Sequence, residues 1–320
     1  MRVITLTLNP AFDLSTSVER VAANRKLRCE TPRHEPGGGG INISAALQEL
    51  DCPSQAMFLA GGPQGAMLQH LLDTRGMNQI PVKISGWTRC NLAVFDHSTQ
   101  EQYRFVMPGP QVSADEVRTC FTRLIDLDPT PDYVAASGSL PPGMPADMLR
   151  ELARTVRDLG ARLVVDTSGA PLKMAADEGV YLLKPNMSEL RELSQMDVST
   201  EPGQENAMRR LVNQGACEVG VLSLGAAGVL LTTEDMQERL RAPAVPIASR
   251  VGAGDSMVAG ILVGLSRGYE IRDAVRLGIA AGSAAVMTPG TSLCRRDDVW
   301  RLYQQEGNQK RPAPVNSAKE

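Results

Sequence analysis

The stretch Arg250-Val251-Gly252-Ala253-Gly254-Asp255-Ser256 decides how this chain is read. Two glycines flank an alanine, an aspartate follows, and the apolar run from Met257 to Leu265 starts at once. Glycines permit a tight turn and let a ligand approach backbone N–H groups closely. A helix beginning here aims unpaired N–H groups and a partial positive charge at whatever sits in front of it. An anionic group is the natural occupant. Asp255 then stands where a carboxylate can take a proton from a hydroxyl held at the same spot. Asp is also a favoured N-cap, and Gly-Asp precedes helices for that reason alone. The choice between a capped helix and a phosphoryl-transfer site falls to the rest of the chain.

Length and charge narrow the field. At ~100–200 residues per domain, 320 residues make one large or two modest domains. A hydrophobic content of 42% is ample for a core. The formal net charge is -3 with pI near 5.8. With no long basic run, nucleic acid is not the expected partner. The six cysteines are scattered with no Cys-x-x-Cys pair, which fits reduced thiols and a cytoplasmic setting. Met1 to Leu8 is short and runs into Asn9-Pro10, so no signal peptide is expected. No apolar run approaches the ~18 residues of a membrane span, so no membrane association is expected either.

From about residue 113 a strand–helix rhythm is regular. Helices are expected over 113–126, 146–158 and 202–214, and strands over 133–136, 162–166, 180–183 and 218–224, with a short helix after Asn186. Such alternation implies βαβ units and a mostly parallel sheet. Ligands then bind beyond the carboxyl ends of the strands, where Ser137, Ser139, Asp166, Ser168, Lys184, Asn186, Ser223 and Gly225 would gather. Strands at 228–232 and 245–248 and helices at 256–267 and 271–287 complete the series. The small residues of 280–285 permit close helix packing. The first third is mixed: strands at 3–8, 56–60, 91–95 and 102–106, helices at 41–50 and 65–74, and polar strands near 16–18 and 26–29. Residues 306–320 read as a loose polar tail.

Pro36-Gly37-Gly38-Gly39-Gly40-Ile41-Asn42 is a second glycine-rich turn before a helix. Its bare backbone suits a sugar or phosphate, with Asn42 adding an amide. No Lys-Ser or Lys-Thr follows, so it is no Walker-type loop. Asp13 follows the first strand and can bind sugar hydroxyls or simply face water. Lys26, Arg28, Arg89 and Arg104 are cations in the β-rich third, and arginine suits phosphate through its planar fork. Asn186 and Glu189 share a helix face at (i, i+3). They can hold hydrated Mg²⁺ through water or form a local capping motif. His34, His70 and His97 are dispersed and read as structural or solvent-facing.

Together these motifs resemble the ribokinase-like sugar kinases of the phosphofructokinase B family, over Thr5 to Leu293. The carriers are Leu6-Thr7-Leu8-Asn9-Pro10 with Asp13; Pro36 to Asn42; Arg89; Ser137-Gly138-Ser139-Leu140-Pro141-Pro142-Gly143; Asp166; Lys184-Pro185-Asn186 with Glu189; Ser223-Leu224-Gly225; and Val251 to Asp255. The glycine run, Lys26-Leu27-Arg28-Cys29 and Glu101 to Gly109 are most similar to members acting on fructose 6-phosphate. The resemblance implies an α/β, ribokinase-like fold: a mostly parallel central sheet flanked by helices, with a small β-sheet lid. The kinase domain would span 1–305, with lid strands from about 11–35 and 88–107. It implies ATP-dependent phosphorylation of the 1-hydroxyl of fructose 6-phosphate. A kinase for tagatose 6-phosphate, fructose 1-phosphate or another sugar is an alternative, and a non-catalytic sugar-phosphate sensor a further one.

The resemblance also implies roles. Asp255 would be the base, with the N–H groups of Gly252, Ala253 and Gly254 stabilising the moving phosphoryl group. Asp13, Lys26, Gly38, Gly39, Asn42, Arg89 and Ser139 would bind the substrate, Arg89 at its phosphate. Lys184, Asn186, Glu189, Ser223 and Gly225 would face ATP, and Asp166, Asn186 and Glu189 would hold Mg²⁺ through water. A homodimer through the lid is implied. Ser249-Arg250 and residues 287–292 depart from the family's pattern in the region of a monovalent-cation site, leaving potassium activation doubtful.

Overall fold

The computed structural model describes residues 1–145, 147–290 and 293–308. The first third contains β1 (Val3–Thr7), β2 (Ala11–Val18), β3 (Arg33–Gly37), α1 (Gly39–Glu49), β4 (Ser54–Ala60), α2 (Gly62–Thr74), β5 (Gln79–Lys83), β6 (Arg89–Asp96) and β7 (Glu101–Phe105). Then come α3 (Ala114–Ile125), β8 (Tyr133–Ser137), α4 (Met148–Asp158), β9 (Arg162–Asp166), α5 (Gly169–Glu178), β10 (Val180–Leu183), α6 (Met187–Ser194), α7 (Glu201–Asn213) and β11 (Cys217–Ser223). The chain closes with β12 (Val229–Thr232), β13 (Gln237–Leu240), α8 (Ala253–Ser266), α9 (Ile271–Val286) and α10 (Arg296–Asn308).

Nine strands form one sheet in the order β13-β12-β11-β10-β9-β8-β1-β4-β5. Its pairs are parallel except for β11–β12 and β12–β13. Strand alternation sends side chains to two cores. Ile4, Leu6, Val134, Ala136, Leu163 and Val165 pack with apolar residues of α3, α4, α5 and α7. Val3, Tyr133, Ala135 and Val164 face those of α1, α8, α9 and α10. Every residue of β1 and β8 is buried, which is why neither shows a solvent-facing alternation.

Close packing of α8 on α9 rests on absent side chains. A Cβ on Gly260 would stand 2.7 Å from the Leu277 carbonyl oxygen, and one on Gly264 2.6 Å from Ala274 Cα. The long apolar helix α8 is thereby anchored with its N-terminus at the carboxyl edge of the sheet.

A second sheet has the order β3-β2-β6-β7, with β2 and β6 parallel from Ala11↔Arg89 to Val18↔Asp96. Only Leu8-Asn9-Pro10 separate β1 from β2, so the small sheet hangs from the carboxyl edge of the large one.

Several expectations need correction. Residues 26–29 form no strand and lie in an exposed connection. The strand of that region is β3, whose Pro36 breaks the usual strand signature and is tolerated at a sheet edge. Residues 245–248 form no strand either; Ala248 N–H donates to the Val286 carbonyl instead. The partner of β12 is β13, whose Gln-Glu-Arg-Leu is too polar to read as a strand. Helix α5 was hidden by its Gly-Ala-Pro start. Helix α10 carries residues 306–308, which were read as tail; residues 309–320 lie outside the described residues.

Candidate active site

The N-cap of α8 is Gly252, in the left-handed region at φ 75°, and no side chain caps this helix. Asp255 is therefore not the cap. It is the third residue of the first turn, and the leading N–H groups of α8 have no side-chain acceptor. One oxygen of Asp255 (Oδ2) accepts from Asn42 Nδ2 at 2.9 Å, and the other (Oδ1) from Ser137 Oγ at 3.3 Å. Desolvation, with Asp166 adding repulsion, pushes its carboxyl up to about 6; Asn42, Lys184 and Ser137 pull the other way. A carboxylate of that pKa accepts protons near neutrality and is largely ionised there.

Three adjacent strands supply the floor. Ser137 ends β8, Asp166 ends β9 opposite it, and Lys184 follows β10. Lys184 is buried and pairs with Asp166 at 3.0 Å. Burial works against its ammonium, but Asp166, Asp255 and Glu189 outweigh that and raise its pKa. A Cβ on Gly254 would lie 3.4 Å from Lys184 Nζ and 3.7 Å from Asp166 Oδ2, so the pair sits under the α8 turn.

Beyond Lys184, Asn186 caps α6. Its Oδ1 accepts from the N–H groups of Ser188 and Glu189, and Glu189 Oε2 accepts from Asn186 N–H. The capping motif is thus formed, and it uses the Asn186 oxygen. Desolvation raises the Glu189 carboxyl, and Asp166 adds to it. Two carboxylates that raise the proton affinity of their surroundings are suited to a hydrated divalent cation. Among the described residues no cluster of three or more His, Cys, Asp or Glu could hold a metal directly. Ser223 bridges to Asn186 across the sheet edge, and Gly225 follows in an exposed turn at φ 61°.

A cleft of about 890 Å³ opens on the other side of Asn42. Asp13, Gly37, Gly38, Arg89, Asn91 and Arg104 line it. Desolvation raises the Asp13 carboxyl and Glu35 adds to this, while Asn91, Arg89 and Arg104 lower it. Arg89 donates to the carbonyls of Asn9 at 2.9 Å and Met107 at 3.3 Å, and its Nε is buried without a partner. Desolvation lowers the Arg89 pKa.

The model of the pfkB family of carbohydrate kinases matches residues 6–298. The chain belongs to that family. This pfkB-family kinase is 44% identical over 303 residues to the ATP-dependent 6-phosphofructokinase isozyme 2 of Mycobacterium tuberculosis H37Rv, covering 95% of this chain and 89% of that one. It is similar to the Escherichia coli phosphofructokinase-2 solved with potassium: TM-score 0.91, 37% identity, 96% and 99% of the two chains covered. The same E. coli protein solved with fructose-6-phosphate gives TM-score 0.88 at 36% identity over 95% and 98%. A further structure of it is of a tetrameric inhibited form. The fold is thus ribokinase-like, with a mostly parallel central sheet and a separate small sheet.

Most residues singled out in the pfkB-family kinase's sequence meet on one rim. Asp255, Gly252, Ala253, Gly254, Asn42, Asp166 and Lys184 surround the α8 turn, while Asp13, Gly38 and Arg89 lie along the cleft. Ser139 joins from its side, accepting from Asn9 Nδ2 at 3.2 Å. Lys26 is not brought in: it is exposed and does not line the cleft. The glycine run serves packing as well as access. A Cβ on Gly40 would come within 2.6 Å of the Leu6 carbonyl oxygen, one on Gly38 equally near Thr7 Cγ2, and one on Gly39 would collide with Ser137. Ser137 and Asn91 were not assigned roles from sequence. A polar residue ending a strand was the one signal for Ser137.

Proposed function

We propose that this kinase transfers the γ-phosphoryl group of ATP to the 1-hydroxyl of fructose 6-phosphate, giving fructose 1,6-bisphosphate and ADP. The observation that carries the reading is Asp255: a carboxylate raised to about 6, held by Asn42 and Ser137, beside an α8 N-terminus that no side chain caps. Asp255 takes the hydroxyl proton as the oxygen attacks phosphorus. The N–H groups of Gly252, Ala253 and Gly254 stabilise charge on the phosphoryl oxygens. Lys184, paired with Asp166, adds fixed positive charge beneath the turn. The names of the relatives support the sugar phosphate and ATP as substrates, and Asp13 with Arg89 in the cleft supports a hydroxylated, anionic one.

Asp166 and Glu189 would hold Mg²⁺ through water, with Asn186, Ser223 and Gly225 on the nucleotide side. When bound, that ion neutralises phosphate charge. Asn186 acts in this reading as the cap that fixes Glu189. We assign no role to a monovalent cation. Ser249 Oγ donates to the Gly290 carbonyl at 2.6 Å and accepts from Val251 N–H at 3.2 Å, which ties that segment together directly. A strong rate increase on replacing sodium by potassium at fixed ionic strength would contradict this.

The outer strand β7 is exposed throughout, and Phe105, Val106 and Met107 continue it as exposed apolar surface. That face supports a homodimer through the small sheet, and light scattering of the purified protein would test it. Among the described residues no helix is long and apolar enough to cross a membrane, and we place the enzyme in the cytoplasm.

The deciding experiment is ADP release with Mg²⁺-ATP and a panel of sugars and sugar phosphates. Fructose 6-phosphate is expected to give the highest kcat/KM. Preference for fructose 1-phosphate, tagatose 6-phosphate or a free sugar would move the assignment within the family, and no turnover with any would favour a sensor.

A further inference from the structure

Asn91 lies on β6 directly opposite Asp13 of β2. Its Nδ2 donates to Asp13 Oδ1 at 2.8 Å, and its Oδ1 accepts from Met107 N–H at 3.0 Å. The second bond fixes the first. A backbone N–H can only donate, so the amide oxygen must face Met107 and the amide nitrogen must face Asp13. Asp13 Oδ1 is thereby engaged, while Oδ2 fills the space that a side chain at Gly37 would need. Two residues earlier on the same strand, Arg89 donates to the Met107 carbonyl. The peptide groups at Met107 are therefore held from β6 at both N–H and C=O.

We propose that Asn91 is a positioning residue for the sugar site: it orients Asp13 and registers it with the chain that follows β7. The proposal rests on the reading that Asp13 binds the sugar. Its physical content is polarity. Asn91 presents a donor to a carboxylate that burial already disfavours as an anion, and it presents an acceptor to the Met107 N–H.

Asn91→Asp separates this from a purely structural role. It keeps an acceptor for Met107 N–H and replaces the donor facing Asp13 by a second carboxylate. Two carboxyls in contact share a proton, and one pKa of the pair rises strongly. Arg89, Arg104 and Glu35 also face Asp13, and they are unchanged in the variant. Relative to wild type at the same pH, the sugar-phosphate KM of N91D is expected to rise about 10–100-fold at pH 8, the range for a lost hydrogen bond to a charged group. At pH 6 the shared proton restores a donor, and the KM ratio is expected to fall toward one. KM for ATP should not change. Asn91→Ala should raise the sugar-phosphate KM with no recovery at pH 6.

An N91D sugar KM equal to wild type at pH 8, or a KM ratio independent of pH, overturns the proposal. A loss shared equally with ATP, accompanied by a lowered melting temperature, also overturns it. Asp13→Ala is the control on the underlying reading. If it leaves the sugar KM unchanged, Asp13 is not a sugar ligand, whatever Asn91 does.

Discussion

Asn42 Nδ2 donates to Asp255 Oδ2 at 2.9 Å, joining residues 213 positions apart. Asn42 is the fourth residue of α1, and Asp255 stands in the first turn of α8. The contact fixes the cleft lined by Asp13 and Arg89 against the glycine turn that starts α8. With Ser137 donating to Oδ1, both oxygens of Asp255 are held.

Asp255→Asn removes the proton acceptor and little else. We expect kcat to fall by ~10²–10⁴, with the sugar-phosphate KM nearly intact. Wild-type kcat should itself decline as pH drops through about 6, where Asp255 becomes protonated. Stability should move the other way. Because the folded carboxyl lies above its ordinary value of 3.8, the folded state holds the proton more tightly between about pH 4 and 6. Stability from this group is therefore present below about pH 4 and lost as pH rises to 6. The Asn variant should be more stable at pH 8, by on the order of 1–3 kcal/mol. Urea titration at pH 5 and 8 checks the sign.

Neighbours of the base should move its titration in opposite directions. Asp166 raises the Asp255 carboxyl and Ser137 lowers it. Asp166→Asn should therefore shift the acid limb of kcat to lower pH, and Ser137→Ala to higher pH. Asp166→Asn also leaves Lys184 buried without its nearest partner, which should cost about 3 kcal/mol. Identical acid limbs in both variants would remove these groups from the account.

Gly39→Ala tests why the glycine run is bare. The new methyl group collides with Ser137, and overpacking of this kind costs about 1–3 kcal/mol. Adding Ser137→Gly should recover only part of the melting temperature, because the backbone carbonyl carbon of residue 137 would still stand 2.9 Å from the methyl group, and kcat should stay low because Asp255 has lost one donor.

Arg89→Ala is expected to raise the KM for fructose 6-phosphate about 10–100-fold, with KM for ATP unchanged. Lysine should not rescue it, because a single ammonium cannot span the Asn9 and Met107 carbonyls as the guanidinium does. Any turnover of unphosphorylated fructose should be unaffected.

The βα rhythm from residue 113 onward was legible because parallel strands buried on both faces leave apolar runs, with polar residues where they end. Asp255 was legible both as a candidate base and as a helix cap, and the sequence alone left the two side by side. Helix cap and base differ by where the helix begins, and that became visible only with Gly252 at its left-handed N-cap. Lys184 read as a residue facing ATP. Its pairing with Asp166 depends on β9 and β10 being neighbours in the sheet, which local pattern does not specify. Ser137, placed on the rim, and Asn91 were given no role for the same reason: each gains meaning from a partner 118 or 78 positions away. β3 was missed because Arg-His-Glu-Pro-Gly has no alternation to read.

The four consecutive glycines have a bearing on how such an enzyme can diversify. Side chains at 37, 38, 39 and 40 would strike Asp13, Thr7, Ser137 and the Leu6 carbonyl. That wall of the cleft is closed to mutation. Glu35 on β3 and Arg104 on β7 line the same cleft with side chains already in place. New substrate preferences, whether drifted or engineered, would have to be written on the small sheet.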